Sequence, residues 1–155
     1  MATLIILGNT NQSTFANSII AANAKAIEIF KDSLTSIYAI HSTGSFDKLR
    51  KETDWIDHLR ANGISEELLI DRTIEITPEK DSISRFVGYL ESIVKGQAEN
   101  SNLLVDLTNG TSLQKNLLSI ATYILDIHNQ FIIDKYSDRN RLNYVLLWVK
   151  SRLSN

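Results

Sequence analysis

The segment TLIILGNTNQST, residues 3–14, decides the fold. After Thr3, its next four residues are continuously apolar, as expected for a strand that is covered on both faces. The next seven residues are polar, and from Phe15 onward apolar residues recur at helical spacings of three and four. A buried strand, a polar turn and an amphipathic helix form the first half of a βαβ unit. The segment therefore predicts a parallel sheet with crossover helices.

The rest of the chain repeats this alternation. Helical stripes are predicted over residues 15–29, 49–59, 83–94 and 113–124, and further strands over residues 34–40, 73–76, 103–107, 131–133 and 144–149. A polar loop too short for a crossover helix separates the last two strands, so we expect a C-terminal β-hairpin. The prediction is an α/β, Rossmann-like, doubly wound and mostly parallel six-stranded sheet with helices on both faces. In it, strand 1 lies beside strand 4, with strands 2 and 3 on the far side of strand 1.

Composition narrows the class of protein. The chain has 155 residues, 16 Lys+Arg and 18 Asp+Glu, for a net charge of −2, and no cysteine. We expect a single domain over residues 1–155, either a complete protein or the N-terminal domain of a longer effector. The absence of cysteine excludes disulfides, cysteine-bound metals and cysteine nucleophiles. The slightly acidic balance argues against binding of duplex nucleic acid.

Targeting signals are missing from the sequence as well. The longest apolar run, residues 144–149, is far shorter than the ~20 residues that span a membrane. No basic segment precedes the short apolar run at the N-terminus, so a signal peptide is not expected. We predict a cytoplasmic protein without a membrane segment.

Two polar loops follow the strands that should be neighbours at the centre of the sheet. We name residues 8–14 loop 1 and residues 108–112 loop 4. Ligands of open α/β sheets bind at this switch point, where helix N-termini favour anions and amides and hydroxyls can read a base or a ribose. An alternative is that these residues only cap helices. The candidate ligand-binding residues are Gly8, Asn9, Thr10, Asn11, Gln12, Ser13, Thr108, Asn109, Gly110, Thr111, Ser112 and Lys115.

Familiar motifs are absent from the sequence. Loop 1 is not G-x-G-x-x-G, and neither a P-loop nor a G-x-S-x-G elbow occurs. The three histidines are not spaced as metal ligands, so we expect no metal and no cofactor. His41 ends strand 2 at the ligand edge and is a further candidate. Asp106, within strand 4, is expected to cap the backbone of loop 4 rather than to contact a ligand.

The sequence DLTNGTS, residues 106–112, resembles the second ligand motif of the CRISPR-associated Rossmann fold (CARF) domains. In that family an aspartate-x-threonine-x-glycine-type strand end leads into a helix. Asn9 to Thr14 resemble the family's other ligand motif, and the closing hairpin is similar too. Ser112 stands where members often have a basic residue, and Lys115 is the nearest basic residue here.

This resemblance implies a specific function. CARF domains form two-fold dimers that bind a cyclic oligoadenylate, usually with four or six adenylates, which type III CRISPR systems make on detecting invader RNA. Binding switches a fused or associated effector domain, and some members also cleave the ring slowly.

Three hypotheses follow for this chain. The first is a homodimeric sensor of cyclic tetra-adenylate, or of hexa-adenylate, in which loop 1 contacts base, ribose and phosphate and loop 4 holds phosphate. The second is a ring nuclease that leaves 2′,3′-cyclic phosphate products, with Thr10, Ser13, Thr111 and Lys115 as the groups to test. The third is a domain that binds a mononucleotide or sugar phosphate, or a partner-binding subunit. Whether the protein is an enzyme stays open at this point.

Overall fold

The computed structural model describes residues 1–97, 102–127, 130–131, 133–134 and 145–146. Five strands form the main sheet: β1 Ala2–Leu7, β2 Leu34–His41, β3 Leu69–Thr73, β4 Asn102–Asp106 and β5 Gln130–Phe131. The helices are α1 Gln12–Phe30, α2 Ser45–Arg50, α3 Asp54–Ala61, α4 Lys80–Lys95 and α5 Ser112–Ile124, and a 3-10 helix, Glu66–Leu68, precedes β3. None of the helices within these ranges is both long and apolar enough to cross a bilayer.

The strand order is β3-β2-β1-β4-β5, and every neighbouring pair is parallel. The structure thus confirms the Rossmann-like α/β class and the predicted position of β1 between β2 and β4. The chain first moves outward from β1 through β2 to β3 and then returns to β4 on the other side of β1. This reversal places the switch point between the carboxyl ends of β1 and β4.

Two separate apolar cores cover the two faces of the sheet. Alternate residues of β1 explain this division, because successive strand side chains point to opposite faces. Leu4 and Ile6 belong to the core that includes residues of α1, α2 and α3, whereas Ile5 and Leu7 belong to the core beneath α4 and α5. All four side chains are fully buried. A strand with helices on both faces therefore needs the continuously apolar sequence seen at residues 4–7.

The third strand lies earlier in the chain than predicted. The prediction placed it at residues 73–76, but β3 is Leu69–Thr73. Four of its five residues are exposed, because β3 is an edge strand, and it therefore lacks an apolar signal. Ile74 and Ile76, which suggested the strand, instead pack into the core beneath α4 from the connection after β3.

The helix predicted over residues 49–59 is two helices, α2 and α3. The break lies between Arg50 and Asp54. Trp55 stabilises it, because its indole Nε1 donates to the carbonyls of both Leu49, at 3.1 Å, and Glu52, at 3.0 Å. These bonds satisfy carbonyls that a continuous helix would have paired along its axis.

The predicted six-stranded sheet is wrong for the described residues, in which the main sheet has five strands. The apolar run at residues 131–133 suggested one strand, but Phe131 and Ile133 belong to different sheets. Ile133–Asp134 (β6) pairs antiparallel with Val145–Leu146 (β7) in a separate two-stranded ladder. The remainder of the predicted C-terminal hairpin, residues 135–144 and 147–149, lies outside the described residues.

Candidate functional site

Loop 1 and loop 4 meet at the switch point. The Asn9 side-chain Nδ2 donates to the Oδ1 of Asn109 at 2.9 Å, across a separation of one hundred positions in the chain. β1 and β4, which carry these loops, are hydrogen-bonded parallel neighbours up to the pair Ile6 and Asp106. The sheet thus brings the two predicted ligand segments side by side.

A buried polar network supports loop 4 from below. Asn109 is 1% exposed, and its Nδ2 donates to Asp106 Oδ2 at 2.9 Å and to Ser18 Oγ at 3.0 Å. The other Asp106 oxygen accepts from the backbone N–H of Thr108 at 2.7 Å. The prediction that Asp106 caps the loop 4 backbone is confirmed. Asn109 faces this network and reaches the ligand edge through its bond to Asn9.

Burial raises the pKa of Asp106 to about 6, because a charged carboxylate is poorly solvated inside the fold. Hydrogen bonds from Thr108, Asn109 and Ser18 favour the ionised form and lower the pKa, so they offset part of this effect. The carboxyl group therefore changes charge at mildly acidic pH, directly beneath loop 4.

Other candidate residues cap the helices that begin at the two loops. The Asn11 side chain accepts from the Thr14 N–H and is the N-cap of α1, and Asn9 Oδ1 accepts from the Asn11 N–H. At α5, Thr111 and Gln114 form a reciprocal capping box. Capping thus occupies the side chains of Asn11 and Thr111, as the alternative interpretation of these loops expected.

A pocket of about 230 Å³ opens between the two loops. Five predicted residues line it, together with three that the sequence interpretation missed. The predicted ones are Gly8, Asn9, Thr10, Gly110 and Thr111, and the missed ones are Ser42, Ser45 and Gln114. Ser42 and Ser45 come from the segment after β2, whose carboxyl end lies at the same edge of the sheet. The polar sequence HSTGS, residues 41–45, was an available signal for them.

A second pocket, of about 380 Å³, adjoins the first at Thr10. It contains the remaining candidates of loop 1, Asn11, Gln12 and Ser13, and on the other side Lys48, Lys51 and Glu52. The lysines come from α2 and the residue after it. The sequence analysis missed them, although the basic cluster at residues 48–51 was visible. Positive charge thus stands opposite the N-terminus of α1.

The remaining candidates stand apart from these two pockets. Within the described ranges, Thr108, Ser112 and Lys115 line neither pocket. Thr108 donates its backbone N–H to Asp106, while Ser112 is exposed at the first residue of α5 and Lys115 is half-buried farther along that helix.

His41 lies against Gly8, which lines the first pocket. It is fully buried, and its Nε2 is 2.7 Å from Asp71 Oδ1. The imidazole packs between the rings of Phe15 and Phe46, at centroid distances of 5.9 Å and 4.5 Å. A Cβ atom at Gly8 would lie 2.3 Å from His41 Nδ1, so only glycine fits there. The histidine and the glycine of loop 1 are therefore in direct contact.

Fold and site together define a Rossmann-like α/β domain with a polar pocket at its switch point. No family model matches the chain, and no curated protein matches its sequence. Within the described ranges, no group of three His, Cys, Asp or Glu residues could hold a metal ion. The chemistry the pocket offers is hydrogen bonding by amides, hydroxyls and helix N-termini beside two lysines, which suits a polar ligand with negative charge.

Proposed function

We propose that this domain binds cyclic oligoadenylate, with cyclic tetra-adenylate favoured over hexa-adenylate, and acts as a homodimeric sensor in type III CRISPR signalling. The observation that carries the proposal is the Asn9–Asn109 hydrogen bond, which joins loop 1 and loop 4 at the switch point. These are the two segments on which the resemblance to CARF domains rests.

Pocket size supports a ligand shared between two copies. At about 230 Å³, the pocket between the loops is smaller than the ~300–1,000 Å³ typical of complete small-molecule sites. This pocket alone can therefore hold only part of a ring of four or six nucleotides. A two-fold dimer presents the same loops twice, which matches the symmetry of such a ring.

Helix α5 offers an apolar surface for that dimer. It starts at loop 4, and four of its large apolar side chains are exposed: Leu113, Ile120, Tyr123 and Ile124. Clustered exposed apolar side chains mark interaction surfaces. Ile120→Glu combined with Ile124→Glu should then give a monomer in sedimentation equilibrium, whereas a variant that stays dimeric would exclude this surface.

Charge in the second pocket supports a phosphate-bearing ligand. Lys48 and Lys51 line it opposite the N-terminus of α1, where unpaired backbone N–H groups favour anions. These two side chains supply local positive charge in a protein with a net charge of −2. Electrostatic contacts of this kind do not require a broadly basic surface.

Isothermal titration with cyclic tetra-adenylate and then cyclic hexa-adenylate tests the proposal. We expect one ring per two chains, and about 10-fold or greater loss of affinity in Lys48→Ala/Lys51→Ala, since contacts to charged groups contribute ~1.5–3 kcal/mol. Lys95→Ala, at the far end of α4, is the matched control and should bind normally. No heat and no thermal shift with either ring would refute the sensor.

A ring nuclease is the second candidate, and the hydroxyl groups of Thr10 and Thr111 in the lining of the pocket favour it. A ribose 2′-hydroxyl would attack the adjacent phosphate in line, and the 5′-oxygen would leave as a 2′,3′-cyclic phosphate forms. Positioning and electrostatic stabilisation can drive such a step. Thr10 and Thr111 line the pocket and are the first groups to substitute. The test is to incubate labelled cyclic oligoadenylate with excess protein for hours. If the ring stays intact, the protein is not a nuclease, and the sensor proposal remains.

The small pocket volume also suits a mononucleotide or sugar phosphate. A thermal-shift panel separates this third candidate from the other two. Stabilisation by adenosine monophosphate or a sugar phosphate, and not by either ring, would support it.

A further inference from the structure

Two buried polar atoms beside the pocket have no hydrogen-bond partner. They are His41 Nδ1 and Ser45 Oγ, and in the described part of the chain no other buried side-chain nitrogen or oxygen is left unpaired. An unpaired buried polar atom destabilises a fold, so each instance calls for an explanation. An absent ligand group would explain both atoms.

Ser45 lines the pocket, and His41 Nδ1 lies behind Gly8, which lines it too. His41 Nδ1 lies against Gly8, where it takes the space that a Cβ atom of residue 8 would fill, at 2.3 Å. The His41 ring is fully buried, and Phe46, the residue after Ser45, packs against it at 4.5 Å between centroids. We name Gly8, His41 and Ser45 the inner wall.

Asp71 determines what His41 can offer to a ligand. The Asp71 carboxylate accepts hydrogen bonds, so the 2.7 Å contact requires the proton on His41 Nε2. In the neutral imidazole, Nδ1 is then an acceptor. The Ser45 hydroxyl can donate. With a neutral His41 ring, the inner wall therefore offers one acceptor and one donor to the ligand.

A hydroxyl group matches this pair with a single oxygen, which donates to His41 Nδ1 and accepts from Ser45 Oγ. A phosphate oxygen at neutral pH has no proton to donate. The adenine amino group could also donate to His41 Nδ1. Both wall atoms are almost completely covered, however, and a hydroxyl group, which is smaller than an adenine ring, needs less rearrangement of the protein to reach them.

We propose that the inner wall is a hydroxyl subsite that takes the ribose 2′-hydroxyl of the bound nucleotide, so that the pocket selects ribonucleotides over deoxyribonucleotides. The proposal rests on the proposed function, because it assumes a nucleotide ligand. It adds residues to that site which lie outside both loop motifs, namely His41 and Ser45.

The test compares cyclic tetra-adenylate with its 2′-deoxy counterpart by isothermal titration. We expect wild-type protein to prefer the ribose ring by about 10-fold, the effect of one or two ordinary hydrogen bonds. Ser45→Ala should reduce this preference to about 3-fold, because one of the two bonds remains. It should leave the melting temperature unchanged or higher, because Ser45 Oγ has no partner in the free protein. Ser33→Ala, at an exposed position outside both pockets, is the matched control and should keep the full preference.

Each of the other outcomes contradicts either the hydroxyl subsite or the sensor proposal. Equal affinity of the wild type for the two rings removes the subsite and leaves the sensor intact. If Ser45→Ala lowers the affinity for both rings equally, the inner wall binds another donor, such as the adenine amino group, and the proposal is also overturned. If neither ring binds, the sensor proposal is wrong. Thermal shifts with adenosine monophosphate and with its 2′-deoxy form then test the hydroxyl subsite. Equal thermal shifts with these two, or none, then overturn it.

Discussion

The Asn9 side chain donates a 2.9 Å hydrogen bond to Asn109, whose own amide group is saturated by bonds to Asp106 and Ser18. One buried residue thus connects side chains of loop 1, β4 and α1. Loop 1 is held in register with loop 4 by this contact, so the shape of the pocket depends on Asn109 even though its side chain is almost fully buried.

Replacement of Asn109 should cost more stability than replacement of Asn9. Asn109→Ala removes three hydrogen bonds and leaves buried partners unpaired, so we expect a loss of about 2–3 kcal/mol in the free energy of unfolding. Asn9→Ala, at a half-exposed position, should cost about 1 kcal/mol. Urea denaturation measures both values. Equal, small losses would show that the network does not stabilise the loops.

The buried carboxyl group of Asp106 should make stability depend on pH. Its pKa of about 6 in the fold exceeds the ordinary value of 3.8, so the folded state holds the proton more tightly than the unfolded state does. The stability that this group contributes is complete below pH 3.8 and is lost as pH rises through 6. Asp106→Asn cannot titrate, and its single side-chain oxygen can accept from only one of the two donors, Thr108 and Asn109.

The measurement is the difference in the free energy of unfolding between wild type and Asp106→Asn across pH. This difference should shift by about 2 kcal/mol in favour of the variant from pH 4 to pH 7. Taking the difference cancels the contributions of the other carboxylates. A constant difference would mean that Asp106 has an ordinary pKa.

Gly8 should not tolerate a side chain. Gly8→Ala places a Cβ atom 2.3 Å from His41 Nδ1, in a region where the imidazole is held by Asp71 and two aromatic rings. Overpacking of this kind costs about 1–3 kcal/mol. Gly88→Ala is the matched control, since nothing lies within 4 Å of the added atom and Gly88 is within α4. It should stabilise the fold by up to about 1 kcal/mol. Thermal and urea unfolding would separate the two variants, and a neutral Gly8→Ala would contradict the close contact.

Thr111 has a capping role that can be separated from ligand binding. Thr111→Ala should destabilise the fold by about 1 kcal/mol, because the α5 capping box is lost. Thr111→Ser keeps the hydroxyl and should recover most of that stability. Ser112→Ala, one residue later and exposed, should change the free energy of unfolding by less than about 0.5 kcal/mol. A Thr111→Ala variant of normal stability with altered ligand affinity would assign the hydroxyl to the ligand alone.

Burial explains which parts of the fold the sequence predicted. β1 and β4 have helices on both faces, so each contains an uninterrupted apolar run, residues 4–7 and 103–105, and the strands were recognised. β3 is an exposed edge strand, and its sequence, Leu-Ile-Asp-Arg-Thr, has no comparable pattern. The break between α2 and α3 depends on the hydrogen bonds of the Trp55 indole, which no local pattern reveals.

The site was predictable only where it follows from strand order. Loop 1 and loop 4 were identified because parallel strands on either side of a switch point end at the same edge. Ser45, Lys48 and Lys51 were missed, because their places depend on how α2 folds back beside loop 1. The unpaired atoms of the inner wall depend on packing around His41, which follows from the tertiary structure alone.

The position of β1 between β2 and β4 has a consequence for how the protein is made. The pairing of β1 with β2 closes a short loop of the chain, whereas the Asn9–Asn109 hydrogen bond closes a loop of one hundred residues. Closing the longer segment costs more chain entropy, so β4 docks late in folding. During synthesis, loop 1 leaves the ribosome long before loop 4. A nascent chain that ends before residue 109 has half a binding site, and recognition of any ligand at the switch point waits until β4 has joined the sheet.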